Sequence, residues 1–256
     1  FGMFSAKGVL AGQQRLIVYP KLYKAEQLRL PAKNPFGERM ADTRLVEDPL
    51  RYAGIREWQP QDGMKRVHWK ATARRQALLS RLYEPTQEPQ VLIFLNVATL
   101  ERHWLGHIPE LMERAVSVAG SLAAVAAEER LPVGLIANGV LPGSDQPLRL
   151  LAGRSPDQLV RILELLAAVT PFASAPIEEM LLRDAPRLPW GATLVVVTAI
   201  AHEGLLAALL ELRRAGRKVL LFTLAEAPPA AVLPGITVYH LPHLVDDVIA
   251  PRLVQA

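Results

Sequence analysis

The densest chemistry in the sequence lies between Gly54 and Arg75, in GIREWQPQDGMKRVHWKATARR. Six of these 22 residues are Lys or Arg, two are Trp and one is His. Lys65, Arg66, Lys70, Arg74 and Arg75 could neutralise phosphates while Trp58 and Trp69 stack on bases. Arg is equally suited to ion pairs with carboxylates, and Glu57 and Asp62 are near in sequence. In that arrangement the stretch is a clamp. Arg56, Arg66 and Arg74 bond to carboxylates or backbone carbonyls, Trp69 is buried, and His68 is hydrogen-bonded in a junction. A protein-docking surface is the third reading. The segment reads as extended chain running into a turn of helix, which spreads its charges over several directions. That disfavours a nucleic-acid groove and favours the clamp.

Other candidates are sparser. His202 and Glu203 follow an apolar run and could do acid–base work, given a cleft where His202, Asn96 and a carboxylate such as Glu101 or Glu226 converge. His103 and His107 stand four residues apart, as metal ligands on a helix do, but Gly106 and Pro109 argue against a regular helix there. His240 and His243, with Asp246 and Asp247, are interrupted by Pro242 and read as a surface cluster. Ser144 in PGSDQP lacks the GxSxG elbow of a serine hydrolase. Neither GxxxxGK(S/T) nor GxGxxG occurs, so nucleotide binding of the usual kinds is excluded. With no Cys in the chain, disulfides, thiolate metal sites and Cys nucleophiles are excluded too.

The elements that must position these residues follow a clear rhythm after Pro89. Continuous apolar runs at 91–97, 132–138, 192–199 and 218–224 have the length and composition of strands buried on both faces. Runs at 148–153 and 236–241 complete the series, the first near an edge. Helical patterns intervene at 109–130, 177–184 and 204–216. Another starts at Ser155, with Pro156 at the first helical position and Gln158 where a capping box would place it. Strands alternating with amphipathic helices predict a doubly wound, mostly parallel α/β sheet over 88–256. Ligands of such sheets bind beyond the carboxyl ends of the strands, which nominates Thr99, Asn138, Thr198 and His202. Before it, residues 1–87 read as a smaller β-rich segment, with 15–23 (RLIVYPKLY) as a short strand and 33–38 as a loop.

Charge supports the division. Residues 1–90 carry 16 Lys or Arg against 9 Asp or Glu, a net of +7, whereas residues 91–256 carry 13 against 16, a net of −3. A basic module of this kind faces an acidic protein, anionic lipid or nucleic acid. No run of 18 apolar residues exists, so no segment is predicted to span a bilayer. The first residue is Phe, and an upstream portion, including a membrane anchor, is an expectation.

The Gly54–Arg75 stretch resembles the signature of the DUF58 family, roughly G-x-R-x-Y-x-x-G-D-x-x-R-x-I-H-W-K-A-x-A-R. The match runs through Gly54, Arg56, Asp62, Arg66, His68, Trp69, Lys70, Ala71, Ala73 and Arg74. Trp58 stands where Tyr is usual, Gln61 replaces a Gly, and Gly63 stands where an acidic or polar residue is common. The resemblance implies a von Willebrand factor A-like domain joined to a β-rich segment, in a bacterial protein anchored at the cytoplasmic face of the membrane. It also implies partnership with a MoxR-type AAA+ ATPase and no enzyme activity. A working metal-ion-dependent adhesion site uses Asp-x-Ser-x-Ser after the first strand, because hard oxygen ligands suit Mg²⁺. The aligned positions here are Asn96, Ala98 and Leu100, and Ala199 and Ile200 stand where a further Asp is expected. No metal and no cofactor are therefore predicted, and nucleic acid is the weaker alternative partner.

Overall fold

The computed structural model describes residues 16–37, 47–85, 89–101, 106–229 and 233–244. Eight strands and five α-helices are described. In chain order they are β1 (Glu47–Glu57), α1 (Trp69–Arg75), β2 (Leu79–Pro85), β3 (Gln90–Leu95), α2 (Pro109–Glu128), β4 (Val133–Val140), β5 (Pro147–Gly153), α3 (Gln158–Ala168), α4 (Ile177–Asp184), β6 (Ala192–Thr198), α5 (Glu203–Arg214), β7 (Lys218–Thr223) and β8 (Thr237–His240). Six strands form one sheet in the order β5-β4-β3-β6-β7-β8, all parallel except β5 at the edge. The mixed α/β class is therefore as the periodicity predicts, and the helix-flanked, mostly parallel sheet is compatible with a Rossmann-like fold.

The sheet's two faces are sorted by residue parity, since side chains alternate along a strand. Ile93, Leu95, Val195 and Val197 face the cluster containing Ala115, Val118 and Leu122 of α2 and Ile162 and Leu166 of α3. Leu92, Phe94, Leu194 and Val196 face the one containing Met180 and Leu181 of α4 and Leu205 and Leu209 of α5. Both faces of β3 and β6 are thus covered by helices, which is why these strands read as unbroken apolar runs.

Two local expectations change. The 15–23 run forms no strand over its described residues, 16–23. Its end packs on α2 instead: the Tyr23 backbone N–H donates to Ser121 Oγ at 2.7 Å, and that hydroxyl donates on to the Ser117 carbonyl. Tyr23, Leu28, Leu30 and Phe36 then join the core that α2 shares with the sheet. The approach is close because Gly120 carries no side chain. A Cβ there would stand 3.3 Å from Leu22 and Leu163 and 3.4 Å from Pro20. Gly120→Leu is expected to lose about 1–3 kcal/mol of stability through overpacking, read as a lower urea midpoint at unchanged slope.

Gln158 is the second change. It does not reach back to close a capping box. Its buried Nε2 donates to the carbonyls of Val133 (2.8 Å) and Leu151 (2.9 Å). The ladder between β4 and β5 is irregular between Val133 and Leu135, and the amide satisfies carbonyls there. The α3 start keeps a local bond from the Gln158 N–H to the Ser155 carbonyl, 2.9 Å.

Candidate functional site

The signature stretch forms a small unit of its own. β1 and β2 pair antiparallel, and the chain between them carries two single-turn 3₁₀ segments and α1. Arg56 makes an ion pair with buried Asp62, and the second Asp62 oxygen accepts from the Gln59 N–H at 2.8 Å. Gly63 follows with φ +68°, a left-handed conformation that glycine adopts without strain. His68 caps α1: its Nδ1 accepts from the Ala71 N–H at 3.1 Å, while its own N–H donates to the Leu79 carbonyl at 2.8 Å. Thr72 Oγ1 accepts from the Leu79 N–H at 3.0 Å and fixes the rotational phase of the helix. That phase leaves Trp69, Lys70, Ala73 and Arg74 outward.

Trp69, expected to be buried, is 61% exposed. Arg74 and Lys70 are exposed beside it, as is Glu57, and Arg74 makes no ion pair or hydrogen bond among the described residues. Trp58 and Arg66 are half-buried, and Trp58 Nε1 is sealed from solvent without an acceptor among the described residues. Arg56, Asp62 and His68 therefore tie the stretch to itself and to β2, and Trp69, Lys70 and Arg74 form an open surface.

The Gln59 N–H, and then the Arg56 guanidinium with the charge of Arg66, hold the Asp62 carboxyl below its ordinary value, against the opposing effect of burial. A depressed carboxylate stabilises the fold above the unfolded-state value, near 3.8, and that stability is lost as pH falls through the lower folded-state value. Tryptophan fluorescence should therefore hold steady down to about pH 4 and change below it, and Asp62→Asn should remove that acid-dependent step. Identical acid profiles for the two proteins would contradict this.

The second candidate lies at the carboxyl edge of the large sheet, where the strand order reverses between β3 and β6. Asn96, Asn138 and Thr198 are all buried there and bond to one another and to nearby backbone groups. Asn96 Nδ2 donates to Thr198 Oγ1 (3.0 Å), and Asn138 Nδ2 donates to Asn96 Oδ1 (2.9 Å) and to the Ala175 carbonyl (3.2 Å). Asn138 Oδ1 accepts from the Val97 N–H (2.8 Å), and Asn96 Oδ1 accepts from the Ala98 N–H (3.1 Å). The Thr198 hydroxyl donates to the Ile200 carbonyl at 2.7 Å. Thr99 Oγ1 accepts from the Ile108 N–H at 2.7 Å. Every strand-end polar group nominated from the sequence, His202 aside, is thus a structural tie.

Above this floor is a cleft of about 230 Å³. Asn96, Ala98, Leu100 and Glu101 line one side, and Ala175, Pro176, Ile177, Glu178, Ile200 and His202 are among its other walls. Asn96, His202 and Glu101 do converge, as acid–base chemistry would require. Glu226 is not part of the lining. Glu178, not singled out from the sequence, is: it sits in the first turn of α4, a favourable place for a carboxylate. The signal for it was the pair Glu178–Glu179 just after Pro176, at a helix start that faces the strand ends.

His202 caps α5, with Nδ1 accepting from the Leu205 N–H at 3.3 Å. Its proton is therefore on Nε2, which stands 3.5 Å from Glu178 Oε2. That contact is at the limit of a hydrogen bond, and Oε2 is sealed from solvent with no donor bonded to it among the described residues. The Nδ1 bond and the Glu178 contact together hold the ring as a wall of the cleft.

A divalent cation does not fit the adhesion-site positions. Ala98, Leu100 and Ile200 offer hydrocarbon, and Asn96 Oδ1 already accepts two hydrogen bonds. Among the described residues no group of three or more His, Asp or Glu is arranged to hold a metal ion. His107 and His243 are exposed, His240 Nε2 lies 2.8 Å from the Ala225 carbonyl, and His103, Asp246 and Asp247 lie outside the described residues. Among the described residues no helix is long and apolar enough to cross a membrane. No family model matches the chain, and no curated protein matches it.

Proposed function

We propose that this chain is a non-enzymatic docking module that binds a partner protein over the carboxyl edge of its sheet without a bridging metal ion. The observation that carries it is the closed Asn96–Asn138–Thr198 network. The strand-end amides and hydroxyl at the floor are buried and hydrogen-bonded to each other and to backbone groups, so the floor is a rigid surface rather than a reactive one. The cleft's size agrees: about 230 Å³ falls below the roughly 300–1,000 Å³ of small-molecule sites. A six-stranded, mostly parallel sheet covered by helices on both faces supports a von Willebrand factor A-like architecture with a degenerate adhesion site.

The resemblance of the signature stretch to DUF58 proteins names the partner, a MoxR-type AAA+ ATPase, and puts the full protein at the cytoplasmic face of a membrane. Capture of such an ATPase by the chain, and loss of capture on Ala98→Trp at the cleft wall, is the expected result. Capture that is absent, or unaffected by Ala98→Trp, counts against the docking site.

The exposed Trp69–Lys70–Arg74 face favours a second contact. It presents one large apolar side chain between cations, the composition of a docking patch for an acidic surface. Nucleic acid is the alternative occupant, and its binding would weaken steeply with salt.

A further inference from the structure

We infer that the carboxyl-edge cleft receives an arginine side chain of the partner, so that a guanidinium stands where an A-type domain would hold its cation. This deepens the docking function proposed above and presupposes it. Four observations carry it. Among the described residues, the cleft walls include two carboxylates, Glu101 and Glu178, and no Lys or Arg. Its one imidazole is already turned to other partners: Nδ1 accepts from the Leu205 N–H, and Nε2 faces Glu178. The Glu178 carboxylate is poorly served, because Oε2 is sealed without a hydrogen-bond donor while the side chain as a whole keeps 25% of its surface. Its other oxygen, Oε1, is the one left to an incoming donor. The remaining walls, among them Ala98, Ala175, Pro176, Ile177 and Ile200, are apolar.

These features match the parts of one residue. A planar guanidinium with five donors can bridge two carboxylates, and its methylene stem packs along hydrocarbon. Lys would supply the charge without the fork. The volume admits a single side chain rather than a folded ligand. The polarity is the reverse of a metal-bridged contact, in which the partner would contribute a carboxylate.

The test is a methyl-NMR titration of the 256-residue chain, carbon-13 labelled at Ile δ1 and Ala β positions. The probes are N-acetyl-arginine methylamide, its neutral isostere N-acetyl-citrulline methylamide, and N-acetyl-glutamate methylamide with and without Mg²⁺. The arginine probe is expected to shift Ile177, Ile200 and Ala175 saturably, with a Kd of about 1–10 mM, the scale for so small a ligand. Glu178→Gln should weaken it about tenfold through loss of a charge-assisted pair. Glu101→Gln, at an exposed position that cannot unsettle the fold, should weaken it about threefold.

Equal shifts from the citrulline probe overturn the inference, as does Mg²⁺-dependent binding of the glutamate probe. So does the absence of saturable shifts from the arginine probe. The two proposals fail separately. A partner that binds wild type and Glu178→Gln equally well removes the arginine pocket and leaves the docking function. An arginine probe that binds while no protein partner does removes the docking function and leaves the pocket.

Discussion

Replacing Arg217 with Ala is expected to lower the unfolding free energy by about 3–4 kcal/mol, or roughly 10 °C in Tm for a chain of this size. Arg217 is only 3% exposed. It has no carboxylate partner among the described residues; it serves backbone carbonyls instead. Nη1 donates to Pro189 O at 2.8 Å, and Nη2 donates to Ala185 O at 2.6 Å and Leu188 O at 3.0 Å. These carbonyls belong to the turn that ends α4, where a helix leaves acceptors unsatisfied and its dipole is negative. The guanidinium also stacks on Trp190, 4.4 Å from the ring centroid. Burial pushes its ionisation below the ordinary value, yet an Arg keeps its charge at any physiological pH. Alanine would leave the buried Leu188 carbonyl without a donor, strip the Ala185 and Pro189 carbonyls of their charged donor while leaving them the N–H groups of Leu188 and Ala192, and uncover one face of Trp190. Arg217→Lys, which keeps the charge but loses the fork and the stack, should fall about halfway. Equal stability of wild type and Arg217→Ala by urea denaturation would refute this account of the α4–β6 connection.

The second large effect concerns the floor of the cleft. Asn138→Ala is expected to cost about 3 kcal/mol, because it leaves the buried Val97 N–H without an acceptor and withdraws donors from Asn96 and the Ala175 carbonyl. Asn138→Asp separates acceptor from donor. The Val97 bond can survive, but a carboxylate then confronts Asn96 Oδ1 with no proton between them. Its loss should therefore exceed that of Ala at neutral pH and shrink as pH falls and the new acid is protonated. Both variants should also weaken partner docking, since Asn96 and Ala175 line the cleft. A fully stable Asn138→Ala with normal docking would show that the network is dispensable, and the rigid-edge argument would go with it.

These two sites mark the limit of what the sequence reveals. The strands at 91–97 and 192–199 were readable because burial on both faces demands a continuous apolar run, which few other structures need. The strand-end residues followed from topology alone: once the sheet is doubly wound, Asn96, Asn138 and Thr198 fall at its carboxyl edge. Their bonding did not follow, because which amide meets which hydroxyl depends on strand order. Arg217 was invisible for the same reason, and Glu178 was marked only by the acidic pair after Pro176. Each is an ordinary charged residue in sequence and acquires a role only through segments far along the chain. The 15–23 run misled because its apolar string suits a strand. What decided its fate was a notch of small residues, Gly120 and Ser121, nearly 100 positions away, with Tyr23 and Ser121 98 apart. At Trp69 the composition was right for either burial or exposure, and the Thr72–Leu79 bond, which sets the helix phase, chose exposure.

The central claim is that docking at the carboxyl edge needs no metal. It is tested most directly by the Kd of the chain for the proposed partner, a MoxR-type ATPase held nucleotide-free, in EDTA and in millimolar Mg²⁺. The closed network predicts the same Kd in both, and a weaker one in both for Asn138→Ala. Binding that appears only with Mg²⁺ and is abolished by EDTA would contradict it.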